Sequence, residues 1–139
     1  MIILDTNVLS GMMQDAPDRR VTEWLNKHPV ESAWTTSVNV YELRYGIECL
    51  AQGRKRRNLE AALDRLLDYV LEGRILALDR VAADHGGRIA AKQRRAGRPV
   101  EIRDVQIAGI TMSRKATLAT RNTRHFEGVG LALVDPWSD

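Results

Sequence analysis

Short runs of β-forming apolar residues alternate along this chain with longer segments whose apolar residues recur every three or four positions. That alternation limits the fold more than any other feature of the sequence. Ile2-Ile3-Leu4 reads as a buried strand ending at Asp5-Thr6-Asn7, and Val8, Leu9, Met12 and Met13 then follow at helical spacing. Pro17 interrupts, and a helix is expected from about Asp18, with Val21, Trp24, Leu25 and His28 on one face before Pro29 stops it. Residues 32–36 form a second strand candidate. A helix opening at Ser37 or Asn39 carries the stripe Val40, Leu43, Ile47 and Leu50. Gly53 and the basic run Arg54-Lys55-Arg56-Arg57 are expected to form a corner. The clearest amphipathic helix follows, with Leu59, Ala62, Leu63, Leu66, Leu67, Val70 and Leu71 on one side and Gly73 as C-cap. Residues 75–78 form a third strand, and residues 81–95 a helix ended by Gly97 and Pro99. A last helix starts near Arg103 with Val105, Ile107, Ile110 and Met112, and short strands over 117–119 and 131–134 close the chain. Strands alternating with helices imply an α/β fold: one domain over residues 1–139, with a central, mainly parallel sheet flanked by helices on both faces.

Bulk properties narrow the function class. A chain of 139 residues can bury one ordinary core, and 28% charged with 44% hydrophobic residues is globular composition. No apolar run approaches the roughly 18 residues of a membrane span. The opening Met-Ile-Ile-Leu lacks the basic start of a signal peptide, so a cytoplasmic protein is expected. Cys49 has no partner for a disulfide and, between Ile47 and Leu50, is expected to be a buried, inert thiol. His28, His85 and His125 are scattered, which argues against a Cys/His zinc site. The net charge of +3 is unevenly placed: besides 54–57, Arg88, Lys92, Arg94, Arg95, Arg98 and Arg103 form a second basic stretch. Such clusters suit a polyphosphate partner, although a solvated helix face reads the same way.

In parallel α/β sheets ligands bind at the carboxyl ends of the strands, so the residues following each strand are the site candidates. Asp5 follows the first strand, and Glu42 lies early in the helix after the second. Asp104 opens a late helix, and Asn122 follows the fourth strand. Each has a local alternative. Asp5 could cap a helix, Glu42 could close a capping box with Asn39, Asp104 could complement a helix dipole, and Asn122 could be a turn residue. Their combination carries more weight. Two carboxylates about 5 Å apart at an effective dielectric near 20 repel by roughly 3 kcal/mol, so gathering three calls for a cation. Hard oxygen ligands favour Mg²⁺ or Mn²⁺ over zinc.

Four segments resemble the motifs of PIN-domain proteins, and in particular the VapC/FitB-like toxins of type II toxin–antitoxin systems. Ile3-Leu4-Asp5-Thr6-Asn7-Val8-Leu9-Ser10 is similar to the opening motif, and Val40-Tyr41-Glu42-Leu43-Arg44-Tyr45-Gly46 to the second. Arg103-Asp104-Val105-Gln106-Ile107-Ala108 resembles the third, and Ala119-Thr120-Arg121-Asn122-Thr123-Arg124-His125-Phe126 the fourth. The closing Pro136-Trp137 is similar to the FitB-like branch, and the resemblance spans essentially the whole chain. Gly46, one helical turn beyond Glu42, is expected to permit close packing by its missing side chain.

The resemblance implies a Mg²⁺-dependent endoribonuclease, with Mn²⁺ an alternative metal. Asp5 and Asp104 would hold the ion, Glu42 would help orient or deprotonate the attacking water, and Asn122 would fix a water or the phosphate. Thr6, Arg94, Arg95, Arg98 and Arg103 would hold RNA. It further implies a cognate VapB/FitA-like antitoxin. The helix of Leu43 and Ile47 and the helix of Leu59 to Leu71 carry apolar surface that could form a groove for an antitoxin helix, although ordinary core packing reads the same way. A homodimer or larger toxin–antitoxin assembly is also implied. In one respect the chain departs from the family pattern: neither Asn122 nor His125, the two positions where the fourth motif usually carries an acid, is acidic. The alternative is therefore a catalytically weakened module of the same fold that binds RNA or an antitoxin without efficient cleavage. A phosphatase using Asp5 as nucleophile is a weaker reading, since no second acid stands two residues on.

Overall fold

In the computed structural model, which describes Met1–Asp139, five strands pair side by side and every pairing is parallel. They are β1 (Ile2–Leu4), β2 (Ala33–Thr36), β3 (Ile75–Leu76), β4 (Thr117–Ala119) and β5 (Ala132–Val134), in the order β3-β2-β1-β4-β5. β1 is central, with Ile3 opposite Trp34 on one side and Leu118 on the other. The chain builds outward from β1 to β2 and β3, then returns to add β4 and β5 beyond its other edge. A reversal of this kind leaves a crevice at the carboxyl ends of β1 and β4.

Six α-helices cover the sheet: α1 (Thr6–Met13), α2 (Arg19–Leu25), α3 (Ser37–Glu48), α4 (Arg54–Arg65), α5 (Arg80–Arg95) and α6 (Ile102–Ser113). The period of two in β1 sends Leu4 and Ile3 to opposite faces, and two cores form accordingly. Leu4 packs with Val8, Leu9, Val21, Trp24, Leu43, Ile47, Leu63, Leu66 and Leu71. Ile3 packs with Val38, Leu76, Ala82, Ile89, Val105, Ile107, Ile110, Leu118 and Phe126. Burying one such side chain fully is worth about 1.5–3 kcal/mol. On the second face α5 and α6 pack so closely that a Cβ on Gly109 would lie 2.7 Å from the Gly86 nitrogen.

Several sequence expectations need correction. The basic run 54–57 is not a corner but the first turn of α4; the chain turns at Gly53, whose φ of +154° favours glycine. Arg56 holds that turn in place through Glu60 and Glu48. The strand expected over 32–36 begins at Ala33, because Val30–Ser32 forms a 3₁₀ turn after Pro29 in which Ser32 Oγ donates to the Pro29 carbonyl at 2.6 Å. β3 stops at Leu76 rather than residue 78, since Asp79 already caps α5 by accepting from the Ala82 amide at 2.9 Å. β5 begins at Ala132, one residue later than expected. The helix expected over Leu59–Leu71 leaves regular α geometry at Leu66 and finishes as a wider π turn, Leu66–Val70. Leu50 lies beyond the end of α3. Cys49, the residue that caps α3, is exposed: two residues past Ile47 a helix points to its other side. Gly46 provides no close packing, because a Cβ there would meet nothing within 4 Å.

Candidate active site

β1 ends by delivering Asp5 into the crevice at the carboxyl ends of β1 and β4. Its amide donates to the Ala119 carbonyl of β4 at 3.0 Å, so the strand pairing itself sets its position. Asp5 is also the N-cap of α1, accepting from the Thr6 amide at 2.9 Å. The local capping reading and the site reading therefore apply to the same residue. The side chain is buried, and each of its oxygens accepts from neutral donors. Oδ1 also accepts from Asn39 Nδ2 at 2.9 Å, and Oδ2 accepts from the Thr120 hydroxyl at 2.7 Å.

Around it lies a polar lattice that ties three elements together. Asn39 Nδ2 donates as well to Thr6 Oγ1 at 3.0 Å, and Asn39 Oδ1 accepts from Thr36 Oγ1 at 2.6 Å. Thr36, not Asn39, caps α3, accepting from the Asn39 amide at 3.2 Å, so no capping box pairs Asn39 with Glu42. Thr6 Oγ1 instead donates to Glu42 Oε1 at 3.2 Å, which joins Glu42 to the Asp5 segment. On the β4 side the Thr120 hydroxyl accepts from Asn7 Nδ2 at 3.2 Å and from the Asn122 amide at 3.1 Å. The Arg121 amide donates to Asn7 Oδ1 at 3.0 Å.

Asp104 comes in from the first turn of α6, where Glu101 is the N-cap and accepts from the Asp104 amide at 2.7 Å. Asp104 Oδ2 lies 3.2 Å from His125 Nδ1, and Arg103 Nη1 lies 3.9 Å from Glu42 Oε2. Burial pushes the Glu42 carboxyl above its ordinary value; the Asp5 and Asp104 charges push the same way, against the Thr6 hydrogen bond and Arg103. Burial likewise raises Asp104; Glu101 and Asp5 add to the shift and His125 opposes it. Glu42 thus senses the charges of Asp5 and Asp104, Asp104 senses that of Asp5, and the cations at hand do not fully offset them. Arg103 itself is held above its ordinary value, first by its hydrogen bond to Glu101.

The sequence candidates are placed unequally. Asp5, Thr6 and Glu42 are joined by hydrogen bonds, and Asp104 is coupled to Asp5 and Glu42 through charge. Asn122 is exposed at the head of a 3₁₀ turn, Thr123–Phe126, and its side chain caps nothing; only its backbone is tied to the lattice. From the fourth motif it is His125 that reaches an acid. Arg94 and Arg95 end α5 exposed, and Arg98 donates to the Glu127 carbonyl at 3.1 Å, so of the arginine candidates Arg103 alone contacts a pocket acid. Asn39 and Thr120 were not singled out as site residues from the sequence. Asn39 stands one helical turn before Glu42, which puts both on one face of α3.

No three His, Cys, Asp or Glu side chains converge as the ligands of a single ion. Magnesium does not require that. It keeps several waters and is commonly held by one or two carboxylates. A buried Asp5 beside two carboxyls raised first by burial and further by its charge fits a hydrated hard cation.

A groove of about 900 Å³ runs from this pocket along α3 and α4, from Thr6 and Glu42 past Leu43, Ile47 and Leu59, with Arg54 and Lys55 along its wall. Gly46, with no side chain, lines it.

Comparison with known proteins agrees with the geometry. The family model described as PIN domain matches residues 2–130. The chain is 32% identical over 139 residues to Toxin FitB of Neisseria gonorrhoeae, covering 100% of both chains. It is 35% identical over 136 residues to the tRNA(fMet)-specific endonuclease VapC of Shigella flexneri, covering 98% of this chain and 97% of that protein. The crystal structure of FitAcB from Neisseria gonorrhoeae superposes with a TM-score of 0.84 at 31% identity, covering 99% of each chain.

Proposed function

The chain belongs to the PIN-domain family, and from that premise we propose that it is the toxin of a type II toxin–antitoxin system, a Mg²⁺-dependent endoribonuclease restrained by a cognate antitoxin. The observation that carries the reading is the buried Asp5 carboxylate, locked by Thr6, Asn39 and Thr120, beside Glu42 and Asp104, whose carboxyls are raised partly by its charge. Relatives of matching length that are named as a toxin and as a tRNA-specific endonuclease support the same class.

Asp5 and Asp104 would hold the cation, with waters completing its shell. Mg²⁺ would lower the pKa of bound water and offset charge building on the phosphate; Mn²⁺ can substitute with the same ligand types. Glu42 stands ready as the proton acceptor for the attacking water. Its raised pKa moves it toward neutrality, where a general base works best, and the Thr6 hydroxyl fixes one of its oxygens. Arg103 offers a guanidinium at the pocket mouth for a backbone phosphate.

The groove between α3 and α4 suits an amphipathic antitoxin segment: its floor is apolar and it opens into the acidic pocket. A basic side chain carried on that segment would neutralise the pocket and block it. A complex in which the groove is filled but the pocket stays open would rule this inhibition out.

The test is cleavage of a structured RNA pool in Mg²⁺, Mn²⁺ or EDTA, with identically purified Asp104→Asn as control. Metal-dependent cutting that vanishes in the variant is expected. The fourth motif presents the His125 imidazole where a carboxylate is usual. That favours a second reading, a module that binds RNA or antitoxin but cuts poorly. Folded protein that binds and does not cut under any metal would establish it instead.

A further inference from the structure

α3 presents a second chemistry beside the acidic pocket. Tyr41 and Tyr45, one turn apart, are 60% and 58% exposed, and their rings lie nearly parallel at 10° with centroids 6.3 Å apart. Neither belongs to the core on either face of the sheet. Leaving two large aromatic faces in water forgoes burial worth a few kcal/mol, so the pair needs an explanation outside this fold.

Tyr41 walls a groove of about 400 Å³ whose other lining includes Ser37, Leu78, Ile102, Arg103 and Gln106. Leu78 and the 67% exposed Ile102 make it partly apolar, while Gln106 and Ser37 bring hydrogen-bonding groups to its wall. Its size falls within the roughly 300–1,000 Å³ typical of small-ligand sites. It is joined to the pocket at two points. Tyr41 precedes Glu42, and Arg103 both lines the groove and faces Glu42 at 3.9 Å. A chain whose phosphate sits at Arg103 therefore has its adjoining base within reach of the Tyr41 ring.

We infer that this groove is a nucleobase subsite, in which an unpaired RNA base next to the scissile phosphate stacks on Tyr41 and is read along its edge by Gln106 and Ser37. The inference rests on the nuclease reading above and adds to it where substrate selectivity resides. Stacking on an aromatic side chain tolerates any base, whereas an amide such as Gln106 can discriminate among edges. An exposed guanidinium at the junction supplies the charge complementarity that a phosphate backbone needs.

The experiment uses short single-stranded RNAs carrying 2-aminopurine at successive positions, bound to full-length Asp104→Asn protein so that no strand is cut. Addition of Tyr41→Leu should weaken binding about tenfold, the size expected for losing one stacked base, and should abolish the fluorescence quenching at one position. Tyr41→Trp should retain both. An RNA abasic at that position should bind equally to the Tyr41 and Leu forms. Unchanged affinity and quenching in Tyr41→Leu would overturn the inference. So would a drop in molecular mass of that variant in sedimentation, which would give the aromatic face to a second copy of the chain. Cleavage by the wild-type protein judges the nuclease reading separately: a protein that never cuts but still shows Tyr41-dependent quenching keeps the subsite and loses the activity. In active protein, Gln106→Ala should change the distribution of bases beside the cut sites; an identical distribution would count against edge reading.

Discussion

Replacing Asn39 by aspartate exchanges the side-chain NH2 for oxygen and turns one of the three donors to Asp5 into a second buried carboxylate. Asn39 is fully buried and Asp5 is 6% exposed, with 2.9 Å between Nδ2 and Oδ1. Two carboxylate charges about 4 Å apart repel by about 4 kcal/mol at an effective dielectric of 20. The native state avoids that by holding a proton on the pair, and the protonated oxygen can then donate to Asp5 much as the amide does. A 4 kcal/mol repulsion corresponds to about three pH units at 1.36 kcal/mol each, which moves the shared titration from an ordinary value near 4 to about 7. The sign follows from proton counting. Below pH ~4 both folded and unfolded chains carry the proton, and Asn39→Asp should be nearly as stable as wild type. Between pH ~4 and ~7 the native state keeps a proton that the unfolded chain has lost, so the variant's stability falls as pH rises; above pH ~7 the full penalty stands. With an unfolding entropy of about 2.1 cal/mol/K per residue over 139 residues, 4 kcal/mol is about 14 °C in Tm. Thermal melts of Asn39→Asp and wild type from pH 4 to 8, in EDTA, should therefore diverge steadily to that gap. A gap already present in full at pH 4 would assign the loss to packing. No gap at pH 7.5 would refute the placement of Asn39 against an ionised Asp5.

Three further outcomes follow from the same geometry. Glu42 and Asp104 titrate above their ordinary 4.5 and 3.8 in the folded state. The metal-free protein should lose stability as pH rises through that window, Glu42→Gln should raise its Tm at pH 7 while abolishing RNA cleavage, and MgCl₂ should raise the wild-type Tm but not that of Asp104→Asn. Gly109→Ala should cost about 3 kcal/mol in chemical denaturation, because its Cβ meets the Gly86 backbone at 2.7 and 2.9 Å, whereas exposed Gly46→Ala should gain up to ~1 kcal/mol from helix propensity. Asn122→Asp, adding a carboxylate to an exposed turn tied to Thr120, should lower the Mg²⁺ concentration needed for half-maximal cleavage; an unchanged metal titration would remove the fourth-motif loop from the cation's surroundings.

The layered α/β plan was legible because two periodicities, two along strands and 3.6 along helices, reflect burial directly, and Ile3 and Leu4 really do divide between two cores. Boundaries were less legible where a side-chain partner, rather than the apolar pattern, decides them. The run 54–57 reads as a corner because four adjacent positive charges oppose a helix dipole at its N-terminus. It is helical nonetheless, since Arg56 finds acids at Glu48 and Glu60 on both sides of the turn and the glycine at 53 absorbs the reversal. At β3 the competing influence is local: once Asp79 accepts from the Ala82 amide, residues 77 and 78 are committed to entering α5 and can no longer extend the strand.

For the site, the acids were visible and their supports were not. A carboxylate at a strand end announces itself by type, whereas Asn39 and Thr120 act only through what they touch. Both look like ordinary cap or turn residues until the sheet order sets β2 and β4 on either side of β1. Neutral donors, rather than arginine or lysine, hold Asp5. A cation among the supports would satisfy the carboxylate and leave it without appetite for a metal, while two amides and a hydroxyl orient both oxygens and leave the negative charge intact. The uncompensated charge then shows itself in Glu42 and Asp104, each pushed up in part by Asp5. Glu42, which faces Arg103 at 3.9 Å, can shed that repulsion by taking a proton or through a cation at Asp5 and Asp104, the two roles that the proposed hydrolysis would give the pocket.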